Sequence, residues 1–277
     1  MPVVATNTAA NSALRFLNYN SSQATSSVSK LASGSRIVKA SDDAAGLAIG
    51  TRLNADVTSL TQAGINASQG ASVVQVADGG LGRIADVLQR MKALAAQSLS
   101  GVPTNTERGF IDAEYQQLVG EITDIALTTR FNGQSLLVGT AGPSDYFVGT
   151  DVSDTITVDF GTLAAATADF RAAALGVDVS VSTAASADGA MALIDTAINT
   201  VSEARATAGA LISRFEFRGQ QIATSLENID AAKSAIMDVD LAAEQSKLVS
   251  NQVLVQAAVS AVSQANQIPQ SLLRVLQ

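Results

Sequence analysis

The sequence contains no cysteine, no histidine and no tryptophan, and aromatic residues account for only 4% of its 277 positions. Without cysteine and histidine, the chain cannot build a Cys/His zinc site, a Ser-His-Asp triad, a Cys-His dyad or the HExxH metalloprotease motif. Chemistry based on carboxylates alone is not excluded. Because bulky rings are scarce, alanine, valine, leucine and isoleucine must fill the core, which suits closely packed layers of helices.

Proline and clusters of basic residues are scarce too. Proline interrupts helix interiors, so the presence of only four prolines favours long helices. The 25 acidic residues outnumber the 17 lysines and arginines, and an acidic chain without a basic cluster is a poor candidate for nucleic-acid binding. The run MPVVATNTAANSALRF at the start lacks the basic n-region and the continuous apolar h-region of a cleaved signal peptide. If the protein is exported, we expect a route that does not use a cleaved signal peptide.

A seven-residue apolar repeat extends over residues 44–98 and predicts one long helix. At 1.5 Å per residue, this helix would be roughly 80 Å long. Gly79, Gly80 and Gly82 weaken the helix locally and mark a candidate bend. The repeat consists of Leu53, Leu60, Ala67, Val74, Leu81, Leu88 and Ala95.

Two more long helices are predicted within the chain. Thr104 and Glu107 have the spacing of a capping box at the start of the second helix, and Phe131-Asn132-Gly133 reads as the turn that follows it. The third helix keeps the seven-residue period without a break. Its repeat consists of Ile194, Val201, Ala208, Phe215, Ile222, Ile229 and Ile236. Three such apolar stripes can bury one another in an antiparallel bundle.

Residues 146–160 have the two-residue period of a half-buried strand, because Ile156, Val158 and Phe160 alternate with polar residues. The run Gly149-Thr150-Asp151 is a plausible turn before this strand. A second alternating set, at Val177, Val179 and Val181, predicts another strand. The middle of the chain is therefore expected to hold a small β region.

Both termini look helical and almost lack charge. Arg15 is the only charged residue from Met1 to Ser29, and there is none from Leu248 to Leu273. The amides and hydroxyls of the second stretch make it too polar for a membrane span. One reading is a pair of amphipathic helices on a globular surface. The other is a pair of helices covered by further copies of the chain, in a heterologous contact that propagates a helical filament. Before assembly such termini are expected to be poorly ordered or chaperoned.

Five runs resemble the signatures of the bacterial flagellins. The first is LASGSRIVKASDDAAGLAI, which begins at Leu31. It is followed by LTQA at Leu60, LQRMKALAAQS at Leu88 and RFNG at Arg130. The last run, ANQIPQSLLR from Ala265, is similar to the C-terminal signature of the family. The runs lie towards the two ends of the chain and follow the order of the family.

The resemblance implies a mainly α fold, with a long antiparallel helical bundle, terminal coiled-coil helices and a small β-hairpin region. It implies a discontinuous inner-core coiled-coil domain of residues 1–42 and 237–277. Residues 43–236 would form a helical rod domain, with the β-hairpin region at about 139–182. Because little more than a hairpin fits between Gly139 and Gly189, we expect a minimal flagellin without outer variable domains.

The resemblance and the apolar stripes together assign two sets of packing residues. The expected inner-core assembly residues are Leu14, Leu17, Val28, Leu31, Leu248, Val255, Val259, Val262, Leu272 and Leu273. The expected rod-domain packing residues are Leu53, Leu60, Val74, Leu81, Ile194, Val201, Phe215, Ile222 and Ile229.

The family resemblance also implies a surface that a host Toll-like receptor recognises. Leu88, Gln89, Arg90 and Leu94 match the receptor motif, and Glu114 lies at the facing position on the second helix. A glutamate is usual where this sequence has Ala93. An inter-subunit contact is the alternative role for Arg90.

The expected function is that of a structural subunit that self-assembles into the extracellular flagellar filament and serves as a propeller for swimming. The expected partners are further copies of the chain, an export chaperone, and the hook-associated junction and cap proteins, with no nucleic acid, membrane insertion, cofactor or metal. A hook–filament junction protein of the same superfamily is the nearest alternative. The two other alternative functions are an intracellular coiled-coil scaffold and an enzyme. The pairs Asp42-Asp43 and Asp238/Asp240 are read as features of helix ends rather than as catalytic carboxylates.

Overall fold

The structure is a computed structural model that describes residues 7–139, 142–163 and 169–275. It is mainly helical, with two short antiparallel strand pairs, which confirms the predicted fold class. The elements are α1 (Thr8–Ser33), α2 (Ala44–Leu99), α3 (Asn105–Thr128), β1 (Arg130–Phe131), β2 (Gln134–Ser135), β3 (Ser144–Phe147), β4 (Thr155–Val158), a short 3-10 helix (Phe160–Thr162), α4 (Ala184–Met237) and α5 (Leu241–Val275).

The chain divides into two compact units. The terminal unit consists of Met1–Val57 and Asn228–Gln277, and the bundle unit consists of Thr58–Glu227. Helices α2 and α4 therefore contribute residues to both units. The expected domain limits at residues 42 and 237 lie closer to the ends of the chain, and that division stays a prediction about assembly.

Side-chain caps explain where the long helices begin. The Thr104 hydroxyl accepts from the backbone N–H of Glu107 while the Glu107 carboxylate accepts from the backbone N–H of Thr104, which confirms the predicted capping box. Asp43 accepts from the backbone N–H of Gly46 at the start of α2. Asp240 accepts from the N–H groups of the second and third residues of α5. Asp43 and Asp240 thus satisfy backbone donors that a helix leaves unpaired at its start.

The bundle unit is built around α2, and both α3 and α4 run antiparallel to it. Contacts with α3 connect Arg90 to Glu114 near one end, while Gly80 faces Thr129 near the other. Contacts with α4 connect Lys92 to Asp195, Asp78 to Arg205 and Gly70 to Phe215, so the two helices also run in opposite directions. Helix α2 is continuous through the glycines at positions 79, 80 and 82.

Two hairpins connect the helices of the bundle unit. In the first, Asn132 (φ 49°) and Gly133 (φ 81°) connect β1 to β2. Positive φ at both central residues is the geometry of a type I′ turn, for which Asn-Gly is the preferred sequence. In the second hairpin, β3 pairs with β4 so that Tyr146 lies opposite Ile156. The predicted strand ends earlier than expected, because Phe160 begins the 3-10 helix.

The strand predicted at Val177, Val179 and Val181 is wrong. The alternation is real, since Val177 and Val181 are buried and the residues beside them are not. No partner strand lies beside this segment in the part of the chain that the structure describes. Its backbone groups bond instead to helix side chains: the Tyr115 hydroxyl donates to Val177, Gln116 to Val179, and Asp112 accepts from the Val181 N–H. Side chains of α3 thus replace a neighbouring strand.

Candidate assembly surfaces

Helices α1 and α5 form an antiparallel pair in the terminal unit, and their backbones pack close together along their length. Asn7 is the N-cap of α1, and its side-chain amide also donates to the carbonyl of Ala265 at 2.8 Å. Towards the opposite end of α1, the Ser27 hydroxyl donates to the Glu244 carboxylate at 2.7 Å. The two bonds lie at distant points of the pair and together specify how far one helix is shifted along the other.

Glu244 is a carboxylate buried between the paired helices, with only 6% of the residue exposed. The Ser27 hydroxyl, followed by the ammonium of Lys247 at 3.2 Å, lowers the pKa of Glu244 although burial acts in the opposite direction. A buried charge with its partners in place opposes any shift in register, because a shift would leave the charge unpaired. Sequence analysis missed Glu244 and Asn7, although Glu244 is conspicuous as the only acidic residue of α5.

The outer faces of the pair carry large apolar side chains. Phe16 is 57% exposed, Tyr19 61% and Val253 63%. A groove of about 510 Å³ lies between the helices and is lined by Val28, Leu248 and Val255 among other residues. Soluble helices usually carry charged residues on such faces. The exposed apolar area is therefore a candidate surface for contact with other chains.

The predicted inner-core assembly residues occupy both sides of this pair. Leu248 is buried against α1, whereas Leu17, Leu31, Val255 and Val262 are partly buried. The remaining described members are exposed: Leu14, Val28 and Val259. Leu272 and Leu273 belong to α5, but their side chains lie outside the described residues. The set thus combines residues that hold α1 and α5 together with residues that face outwards.

Most predicted rod-domain packing residues lie in the core. Leu53 and Ile229 are partly buried and belong to the terminal unit. All the others belong to the bundle unit and are buried: Leu60, Val74, Leu81, Ile194, Val201, Phe215 and Ile222. The heptad rows of α2 and α4 therefore correspond to the buried faces of these helices.

The candidate receptor residues separate into an exposed and a buried group. Gln89, Arg90 and Glu114 are exposed, and the Arg90 guanidinium donates to one Glu114 oxygen from Nε at 2.9 Å and from Nη2 at 2.5 Å. Leu88 and Leu94 are buried in the bundle core. A partner protein that meets this surface would therefore contact the ion pair and Gln89 first.

The carboxylate pairs considered for catalysis have structural partners. Asp42 accepts from the backbone N–H groups of Lys39 and Val38, and these bonds lower its pKa. Asp238 accepts from the Ser234 hydroxyl at 2.6 Å. Among the described residues, no group of three or more acidic side chains is arranged to hold a metal ion. No described helix is both long and apolar enough to cross a membrane.

Comparisons with known proteins find matches at both ends of the chain and over nearly its whole length. Residues 4–141 match the family described as the bacterial flagellin N-terminal helical region, and residues 191–276 match the bacterial flagellin C-terminal helical region. The chain is 36% identical to a flagellin of Halalkalibacterium halodurans over 98% of each chain. It is 33% identical to the flagellar filament 30.7 kDa core protein of Treponema maltophilum over 95% of each chain. Flagellin FlaB1 of Treponema pallidum is 34% identical over 98% of each chain.

Proposed function

Since the chain belongs to the bacterial flagellin family and is a self-assembling structural subunit of a flagellar filament, we propose that its α1–α5 pair forms the inner core of that filament. The observation that carries the proposal is the exposed apolar surface of a helix pair that is nearly free of charge. In a polymer, neighbouring copies would bury this surface, and the apolar area removed from water would stabilise the contact. The proposed inner core consists of residues 1–42 and 237–277.

The role is mechanical rather than catalytic. The filament would transmit the rotation of a motor that lies elsewhere, and swimming motility follows from its stiffness and helical shape. The two family regions leave only residues 142–190 between them. In the described part of that stretch, the structure has the β3–β4 hairpin, a short 3-10 helix and the first turns of α4. We infer a minimal subunit without outer domains, which would give a thin and smooth filament.

Seeded polymerisation of purified protein tests the inner-core assignment. Leu17→Asp or Val255→Asp would place a charge in the proposed buried contact, so we expect either variant to stop elongation while the bundle unit stays folded. Val102→Asp is the matched control, because Val102 is 88% exposed outside the terminal unit. Electron microscopy measures filament length, and circular dichroism checks the helix content. Normal filaments from Leu17→Asp would contradict the inner-core assignment.

We propose that an export chaperone covers the same apolar surface before assembly, and that hook-associated junction and cap proteins meet it at the two ends of the filament. The exposed Phe16 and Tyr19 support this proposal, because an uncovered surface of this kind favours aggregation.

We also propose that export leaves residues 4 onwards in place, since the N-terminal family match begins there. The N-terminal residue of protein sheared from cells, measured by mass spectrometry, tests the point. Loss of residues beyond position 4 would refute it.

A second proposed role is recognition by a host Toll-like receptor through Gln89, Arg90 and Glu114. The specific observation in its favour is the exposed ion pair of Arg90 and Glu114, which presents a fixed polar feature on the bundle surface. Arg90→Ala is expected to weaken the response of receptor-expressing reporter cells to the monomer. Arg83→Ala is the control, since Arg83 is another exposed arginine of α2. Equal responses to both variants would exclude this surface.

A further inference from the structure

All of the net negative charge of the chain is carried by the bundle unit. Thr58–Glu227 contains nine arginines and lysines against eighteen aspartates and glutamates, whereas the terminal unit has eight basic and seven acidic residues. The bundle units of neighbouring copies in a polymer therefore repel one another. Charge opposes a contact between two bundle units least where a basic side chain of one meets an acidic side chain of the other.

Most basic side chains of the bundle unit are already used within the chain. Six of them form ion pairs with aspartate or glutamate: Arg83, Arg90, Lys92, Arg171, Arg205 and Arg218. Two others donate to backbone carbonyls, namely Arg108 to Ser98 and Ser100, and Arg130 to Leu127. Arg214 is the one that makes neither kind of contact with any residue that the structure describes. The Arg214 guanidinium therefore has no ion pair or hydrogen bond in the described part of the chain.

Arg214 lines a pocket of about 330 Å³ between α4 and the β3–β4 hairpin. Arg218, one helical turn further along α4, lines the same pocket and is held by the Val148 carbonyl at 3.1 Å and the Asp154 carboxylate at 3.2 Å. Phe217 also lines the pocket and is 72% exposed. A pocket with a free guanidinium and an exposed ring suits an acidic side chain with an aliphatic stem, because the stem can cover the ring while the carboxylate meets the cation.

Helix α3 offers carboxylates of this kind. Glu107 is engaged in the capping box, Asp112 accepts from Val181 and Glu114 pairs with Arg90. Glu121 and Asp124 are both exposed, and neither side chain bonds to another residue in the described part of the chain. Because they are three positions apart on a helix, they face the same side.

We propose that the pocket beside Arg214 is an inter-subunit contact that receives Glu121 and Asp124 from α3 of a second copy of the chain. The proposal rests on the filament-forming function and adds a second interface, formed by the bundle units. The contact is heterologous, since each copy offers a pocket on α4 and a different, acidic face on α3. Such a contact can repeat from one subunit to the next without closing.

The critical concentration for filament growth tests the contact. Arg214→Glu replaces attraction by repulsion, so the soluble protein left after polymerisation should rise about fivefold to tenfold relative to wild type. Arg83→Glu makes the same change of charge at a site away from the pocket and should leave the value near that of wild type. Combining Arg214→Glu with Glu121→Arg and Asp124→Arg reverses both sides of the contact and should restore growth. Thermal unfolding of each monomer checks that the fold is kept.

The outcomes separate the two proposals. A wild-type protein that never elongates from seeds would overturn the filament function itself. Growth of Arg214→Glu equal to that of Arg83→Glu, with normal wild-type growth, would overturn the contact alone. If Arg214→Glu is defective and the reversed variant does not recover, the carboxylates of α3 are not the occupants of the pocket. We expect that Arg214→Glu alone grows filaments poorly and that the charge-reversed triple variant grows them as wild type does.

Discussion

Two neighbouring glycines of α2 should respond in opposite ways to the same substitution. A Cβ atom at Gly79 would meet no other atom within 4 Å, whereas one at Gly80 would lie 2.5 Å from Thr129 Oγ1, 2.8 Å from Thr129 Cγ2 and 2.9 Å from Leu137 Cδ1. Neither neighbour can move away easily. Leu137 is fully buried, and the Thr129 hydroxyl donates to the Ile125 carbonyl at 2.7 Å. Gly80 therefore permits a close approach that Gly79 does not.

The expected magnitudes follow from helix propensity and packing. Alanine stabilises a helix interior by about 0.5–1 kcal/mol relative to glycine, so Gly79→Ala should raise the free energy of unfolding by that amount. At Gly80 the same gain is opposed by overpacking of about 1–3 kcal/mol, which leaves a net loss of roughly 1 kcal/mol at the midpoints of the two ranges. For a domain of this size, about 2–4 °C of melting temperature corresponds to each kcal/mol.

Differential scanning calorimetry of the monomers measures both effects under the same conditions. We expect Gly79→Ala to melt a few degrees above wild type and Gly80→Ala to melt a few degrees below it. Shifts of the same sign for the two variants would refute the close packing of α2 against Thr129 and Leu137. That result would instead favour a local bend at these glycines, in which both positions have room for a methyl group.

Three further predictions concern buried polar groups. Tyr115→Phe leaves the Val177 carbonyl without its hydroxyl donor and should lower the free energy of unfolding by about 1–3 kcal/mol, measured by chemical denaturation. Tyr146→Phe is the control and should cost much less, because the Tyr146 hydroxyl has no bond to a described residue. Burial raises the pKa of Tyr115 to about 12, so the contribution of its neutral hydroxyl to stability is complete below pH 10 and should decline as the pH rises from 10 to 12. Tyr115→Phe should therefore lose less stability than wild type between pH 10 and 12. Glu244 has a lowered pKa, so its contribution to stability is present above the usual glutamate pKa of 4.5 and is lost as the pH falls through the folded-state pKa. Glu244→Gln should therefore flatten the dependence of melting temperature on pH in acid. An unchanged acid profile would show that the bond from Ser27 does not stabilise the pair.

Local signals in the sequence were sufficient for the long helices and for several of their ends. The seven-residue stripes predicted α2 and α4, because a repeat near the helical period can bury only one face. The capping box at Thr104 and the turn at Asn132-Gly133 were also readable, since both depend on residues within a few positions of each other. The family signatures added the function, which the comparisons confirm.

Long-range contacts decided the remaining features. An alternating pattern indicates which side chains are buried but not what the backbone bonds to. The pattern at Val177 and Val181 therefore predicted a strand, although side chains of α3 bond to the backbone of these residues. The same limit hid the bond between Ser27 and Glu244, which joins residues at opposite ends of the chain. That Arg214 has no ion pair among the described residues also required the whole fold, because pairing depends on distances across helices.

The sequence by itself determined the helical class, the buried faces and the nearly uncharged termini, because composition and period act along a single element. The tertiary structure alone decided which glycine must stay a glycine, where the backbone of residues 177–181 finds its partners, and which arginines of the bundle unit form ion pairs. The physical reason is the same in each case. Burial can be estimated from one helix face, but hydrogen bonds, close packing and ion pairs need two specified partners, and their distance is set only when the chain folds.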